Sequence, residues 1–196
     1  MKNLEISEDE NYYLQQIFKT FNMCKTPEEI FYSLCFCICV SQSSQHETFI
    51  VVDILKNINF YNLPFKDYAL VYFLEGSTFS PKNKAKRLIS AKKDFDLILR
   101  ILEMEKNPHE LRDLLVKFIK GLGMKTASHF LRNLGYRNFV IIDNSILKFL
   151  KCKRPKSDKN YKEIEKKFVN IAESNCFKPA KLDALVRLRE DWTQIF

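Results

Sequence analysis

Glycine is scarce in this chain: four occur in 196 residues, and three of them, Gly121, Gly123 and Gly135, fall within the single stretch KGLGMKTASHFLRNLG. Other absences narrow the class of protein. The opening MKNLEISEDENYYLQQIF has no basic segment followed by an apolar one, so no secretory signal is read there. No apolar run approaches the ~20 residues of a membrane-spanning helix, and FYSLCFCICV, the most apolar stretch, is about half that length and is predicted to be a buried core helix. The six cysteines, Cys24, Cys35, Cys37, Cys39, Cys152 and Cys176, form no CxxC pair and no repeat of metal-ligand spacing. Neither a structural zinc site nor an iron–sulfur cluster is therefore expected. Thiols inside an apolar run behave as small hydrophobes, and free thiols suit a reducing cytoplasm. No alternating run is bounded by hairpin turns, and there is no internal repeat or low-complexity tail.

What the sequence does hold is positive charge and well-marked helix starts. Thirty-two Lys and Arg against twenty-four Asp and Glu leave a net charge of +8, which favours a polyanionic partner such as nucleic acid. Two stretches concentrate it: PKNKAKRLISAKK, with Lys82, Lys84, Lys86, Arg87, Lys92 and Lys93, and the run around Lys151 to Lys156. Ser7 is followed three residues on by Glu10, while Thr26-Pro27-Glu28-Glu29 offers a cap, a first-turn proline and a capping-box glutamate. Asn107-Pro108-His109-Glu110 repeats that arrangement, and Ser80-Pro81 is a fourth start without the acid. Apolar residues then recur at helical spacing, as in Leu111, Leu114, Leu115 and Phe118, or Ile164, Phe168 and Ile171. An all-α protein of about nine or ten helices is predicted, broken near residues 22–26, 42–47, 58–66, 76–80, 120–123, 135–143, 153–157 and 174–179. The piece FVIID is the one segment with strand character, and it has no obvious partner.

LRDLLVKFIK before the glycine pair and SHFLRNLG after it are both amphipathic, so Gly121-Leu122-Gly123 reads as the turn of a helix–hairpin–helix. Such a turn leaves the N–H groups that open the second helix uncovered, and that positive end is an anion site which a DNA phosphate fits. Lys117, Lys120 and Lys125 surround it with charge. An ordinary C-cap glycine followed by an αα-turn accounts for the pair equally well; Gly135 is read as the C-cap of the second helix. Lys125 sits in that helix's first turn, where the dipole lowers an amine's affinity for its proton and so favours a nucleophile. Eighteen residues later (143 − 125), Asp143 follows four apolar residues. It is an N-cap for NSILKFLK, and it is also a carboxylate able to stabilise a developing cation.

At this point KGLGMKTASHFLRNLGYRNFVIID, with Gly121, Gly123, Lys125 and Asp143, resembles the helix–hairpin–helix–Gly/Pro–Asp superfamily of DNA glycosylases, and within it the small archaeal-style (type 2) 8-oxoguanine DNA glycosylase/lyases. FSPKNKAKRLISAKKDFD and ELRDLLVKFIK are similar to the same family, and the likeness is specific from about residue 79 to 147. The resemblance implies two helical lobes with the hairpin and a catalytic cleft between them. One lobe would run over residues 27–119, and the other, discontinuous, over 1–26 plus 120–196 with Lys125 and Asp143. It implies double-stranded DNA with a damaged base as partner, a flipped nucleotide, and a monomer working on DNA in the cytoplasm without a membrane. Lys125 would attack C1′, expel the base, form a Schiff base and cut the strand by β-elimination, while Asp143 would stabilise the transition state and help activate the lysine. Lys120, Gly121, Gly123 and Lys84 would contact DNA, and Gln42 in Ser41-Gln42-Ser43 would fill the gap left by the flipped base. Phe196 would read the base. The carbonyls of Lys117, Ile119 and Leu122 would hold Na+ or K+ at the hairpin; no other cofactor is implied.

The chain departs from the family pattern in three places. Asn144-Ser145 stands where the family commonly has Arg-His, Phe196 where it usually ends in lysine, and Arg187 in KLDALVR at the position of its usual tryptophan. Trp192, five residues further on, is expected to be an exposed or core-filling aromatic. These changes leave room for a glycosylase of another lesion. A non-catalytic helix–hairpin–helix DNA-binding module, with Lys125 as a phosphate contact and Asp143 as a cap, and a helical interaction protein are the readings from other classes.

Overall fold

The computed structural model describes residues 4–20 and 26–193. Among them are eleven helices and no strand: α1 (Glu8–Thr20), α2 (Pro27–Cys39), α3 (Gln45–Asn57), α4 (Asp67–Leu74), α5 (Pro81–Lys93), α6 (Phe95–Leu102), α7 (Pro108–Phe118), α8 (Met124–Asn133), α9 (Asn144–Phe149), α10 (Asp158–Ser174) and α11 (Pro179–Thr193). Among the described residues, no helix is long and apolar enough to cross a membrane. The capping boxes at Ser7–Glu10 and Thr26–Glu29 form reciprocally. Asn107 accepts from the amides of His109 and Glu110. A further box, Ser44–Glu47, opens α3 and follows the same spacing, although the sequence reading does not single it out.

Two expectations need correction. Ser80 precedes α5 in a left-handed conformation (φ 56°) and makes no capping bond; Pro81 alone marks the start. The sequence does not anticipate the break between α5 and α6. It occupies one residue, Asp94, which has no neighbouring glycine or proline to announce it. The scarcity of glycine also has a visible consequence. Helices α3, α8, α9 and α10 end in the same paired pattern of backbone bonds, with the residue after the cap left-handed. Only α8 uses glycine there, Gly135; the other three use Asn59, Lys151 and Cys176. Each non-glycine residue so placed carries roughly 1 kcal/mol of backbone strain.

The chain divides into two compact units, Cys24–Phe130 and Met1–Met23 with Leu131–Phe196. The boundary lies inside α8 rather than at residue 120. The hairpin and Lys125 fall in the middle unit and Asp143 in the other, whereas the resemblance implies one lobe for both. The first half of α8 is anchored in the middle unit: Ala127, Ser128 and Phe130 are fully buried, and the buried Arg112 of α7 donates from Nη1 to Ser128 Oγ at 3.1 Å.

The middle unit has an aromatic and aliphatic core. Phe31 is fully buried, with the rings of Tyr32, Phe60, Tyr61 and Phe95 centred 5.1 to 5.7 Å away. The apolar stretch of α2 lies in that core as expected, and its three cysteines are buried free thiols. Burial pushes Cys39 up to about 12, which leaves it inert as a nucleophile. The other unit mixes apolar core residues such as Leu14, Phe139, Ile146 and Phe168 with a fully buried Asp183 and the buried Glu10, Arg132 and Glu165.

Candidate active site

In the hairpin, α7 ends at Ile119, whose backbone leaves the helical region. Gly121 takes φ +89°, the left-handed conformation that an L side chain resists, so its glycine is a backbone requirement. Gly123 has no such φ, and a Cβ there would meet nothing within 4 Å. Its bareness answers to no neighbour inside the protein; it leaves the approach to α8 clear. Leu122, between the two, is buried and donates its N–H to the Ile119 carbonyl at 3.2 Å, pinning the turn to the core. Lys117, Lys120, Gly121, Gly123 and Lys125 are all exposed, with Lys125 in the first turn of α8. Exposed Arg87 of α5 joins them, its Cγ 3.5 Å from where a Cβ on Gly121 would stand. The sequence signals Arg87 only through the basic cluster that contains it. The Ile119 carbonyl keeps a lone pair beyond its bond to Leu122, so with the carbonyls of Lys117 and Leu122 the turn offers neutral oxygen donors of the kind that suit a hard cation.

Lys84 does not fit the role of a DNA contact. It is buried, and its ammonium donates to the Cys39 carbonyl at 2.5 Å, Thr78 Oγ1 at 2.6 Å and Ser43 Oγ at 2.8 Å. All three N–H donors are spent inside the fold, and burial lowers the affinity of the amine for its proton. Lysine in this sequence position looks like every other member of its basic stretch, and only packing separates it. What Lys84 does is tie the end of α2 to the turn before α5, and so brace the loop that presents Gln42. Gln42 is exposed and left-handed, at φ 61°.

In the other unit, Phe139 to Ile142 form a buried run outside any helix, and it pairs with no strand among the described residues. Side chains meet three of its backbone groups. The Tyr161 hydroxyl accepts from the Ile142 amide at 3.4 Å and donates to the Val140 carbonyl at 3.3 Å, and Arg187 Nη2 donates to the Ile141 carbonyl at 3.1 Å. The run delivers Asp143 to the start of α9, where Oδ1 accepts from the Ile146 amide at 3.3 Å. Asp143 is thus the N-cap that its sequence position suggests. Its other oxygen, Oδ2, accepts from Arg187 Nη1 at 2.5 Å. Both departures after the aspartate have partners: Asn144 accepts from Arg154 at 3.0 Å, and Ser145 bonds Glu190, whose carboxyl is held below the usual range chiefly by that bond. Phe196 and the side chain of Trp192 lie outside the described residues.

A family model described as 8-oxoguanine DNA glycosylase matches residues 14–176. An 8-oxoguanine DNA glycosylase/AP lyase of Thermoplasma volcanium is 34% identical over 183 residues, 91% of this chain and 87% of that protein. One from Methanocaldococcus jannaschii is 34% identical over 195 residues, 95% of this chain and 91% of the relative. The crystal structure of the Methanocaldococcus jannaschii 8-oxoguanine glycosylase/lyase in complex with a 15mer DNA containing 8-oxoguanine superposes with a TM-score of 0.80 at 30% identity, covering 94% of this chain and 92% of that one.

Proposed function

The chain belongs to the 8-oxoguanine DNA glycosylase family, and from that premise we propose that it is a bifunctional DNA glycosylase/AP lyase that removes 8-oxoguanine from double-stranded DNA. The observation that carries the reading is the hairpin itself, a left-handed Gly121, an unobstructed Gly123 and an exposed Lys125 in the first turn of α8. Backbone amides at the start of α8 meet a phosphate, with Lys117, Lys120 and Arg87 adding charge. The carbonyls of Lys117, Ile119 and Leu122 would hold Na+ or K+, which would add positive charge beside that phosphate. The damaged nucleotide leaves the stack, Gln42 fills the gap, and Phe196 reads the base.

Lys125 Nζ bonds to C1′ as the glycosidic C1′–N9 bond breaks, and the base departs with the bonding pair and takes up a proton. Opening of the C1′–O4′ bond gives the Schiff base; loss of a C2′ proton then expels the 3′ phosphate. Asp143 stabilises the positive charge that develops on the sugar, and it helps activate the lysine. The protein acts as a monomer on DNA in the cytoplasm.

Borohydride trapping tests this directly. A duplex carrying 8-oxoguanine is expected to give a covalent adduct with the wild type and none with Lys125→Gln, with base release slowed by about a thousandfold or more. An adduct that survives the substitution moves the nucleophile elsewhere, and no adduct with the wild type refutes the lyase. Equal cleavage of 8-oxoguanine, thymine glycol and uracil duplexes would refute the oxidised-purine preference.

A further inference from the structure

Asp143 ends a line of alternating charge that runs through its own unit. Arg132, in the last turn of α8, pairs with the fully buried Asp183 of α11. Arg187, one turn further along α11, gives Asp183 Oδ1 two bonds, from Nε at 3.2 Å and Nη2 at 2.9 Å. The same guanidinium reaches Asp143 Oδ2 at 2.5 Å and the Ile141 carbonyl at 3.1 Å. These four bonds commit most of the five N–H groups of the fork, so the group cannot turn without letting go of α11, the Ile141 carbonyl or Asp143.

We propose that Arg187 is the positioning residue for Asp143, fixing where that carboxylate points by tying it to the buried Asp183, without itself touching the substrate. The inference rests on reading Asp143 as the anion that stabilises the developing cation. Such an anion must be ionised and stationary before the charge appears, because a group that has to reorient gives back what it contributes. Here its oxygens are held from two directions: Ile146 N–H holds Oδ1 and the guanidinium holds Oδ2, which is a charge-assisted bond. A lone guanidinium beside the carboxylate would cancel the field it exists to exert. Asp183 reduces that loss, since it takes two of the bonds and Arg187 divides its charge between two carboxylates. Arg132, on the far side, keeps the buried Asp183 compensated.

The measurement is single-turnover base release from an 8-oxoguanine duplex by the full chain, with duplex Kd determined separately. Arg187→Met is expected to slow base release about 10- to 100-fold while Kd stays within about threefold, the signature of a misplaced reacting group rather than a lost binding surface. Arg187→Lys, which keeps the charge and loses the fork, should fall between. Added ethylguanidinium should restore part of the rate to Arg187→Ala. A rate for Arg187→Met within about twofold of wild type, or a rate and an affinity that fall by the same factor, overturns the proposal. If Arg187→Met does not fold, Arg187→Lys decides it: a slower step at unchanged Kd supports positioning, and an unchanged rate refutes it. A wild type that forms no borohydride adduct refutes the underlying function, whereas an adduct together with an unaffected Arg187→Met refutes only the role of Arg187.

Discussion

The two residues expected to carry the chemistry are mounted in opposite ways. Lys125 stands on a hairpin whose shape is set by residues within a few positions of it: the end of α7, the left-handed Gly121, the pinned Leu122 and the clear Gly123. Asp143 is aimed from far along the chain, by Tyr161 under its approach run and by Arg187, 44 residues away. A local mount works through backbone conformation, and it tolerates change elsewhere in the protein. A mount built from buried charges holds more tightly, but it couples the site to the stability of the whole unit.

The largest break in this comparison is expected on the Asp143 side. Asp183→Asn leaves Arg132 and Arg187 around a neutral group in a buried setting, and it should cost about 3–5 kcal/mol in denaturant unfolding. A loss below about 1 kcal/mol would mean that the charge line contributes little to the unit.

The hairpin offers a smaller and sharper contrast. Gly121→Ala forces a side chain into the left-handed region and should cost about 1–2 kcal/mol. Gly123→Ala should leave stability nearly unchanged, because the poorer helix cap is offset by the reduced freedom of the unfolded chain. It should nonetheless weaken duplex binding about tenfold, the equivalent of one good contact to a phosphate. Equal loss of stability in the two variants would show that Gly123 serves the fold and not the approach of an anion.

The smallest effect belongs to the contact that ties α1 to α11. Glu10 accepts from Arg189 Nε at 2.7 Å, and that guanidinium holds its carboxyl below the ordinary value of 4.5. A carboxylate with a depressed folded-state pKa stabilises the fold above its unfolded pKa, and the contribution is lost as pH falls through the folded value. Glu10→Gln should therefore cost about 1 kcal/mol at neutral pH and converge with the wild type as the pH drops below the usual carboxylate range. A gap that stays constant down to pH 3, roughly a unit under that range, would assign the loss to packing.

Much of the architecture is legible in the residues alone. The boxes at Ser7 and Thr26, the cap at Asn107 and the glycine pair all announce helix ends through residues three or four positions apart. The break at Asp94 could not be read, since a one-residue kink between two amphipathic helices leaves no turn residue behind. Nor could the path of the run before Asp143, where side chains of distant residues meet the backbone at Val140, Ile141 and Ile142.

The site divides along the same line. The hairpin turn and the capping role of Asp143 are legible in the residues, because they depend on backbone geometry and hydrogen bonds that close within one helical turn. Packing between distant segments makes Lys84 an internal brace, brings Arg87 to the hairpin and sets Arg187 on Asp143. A lysine or arginine has the same chemistry in the sequence whether it faces water or a buried carbonyl. What assigns its role is the partner that folding brings to it, and for Arg187 that partner lies 44 residues away.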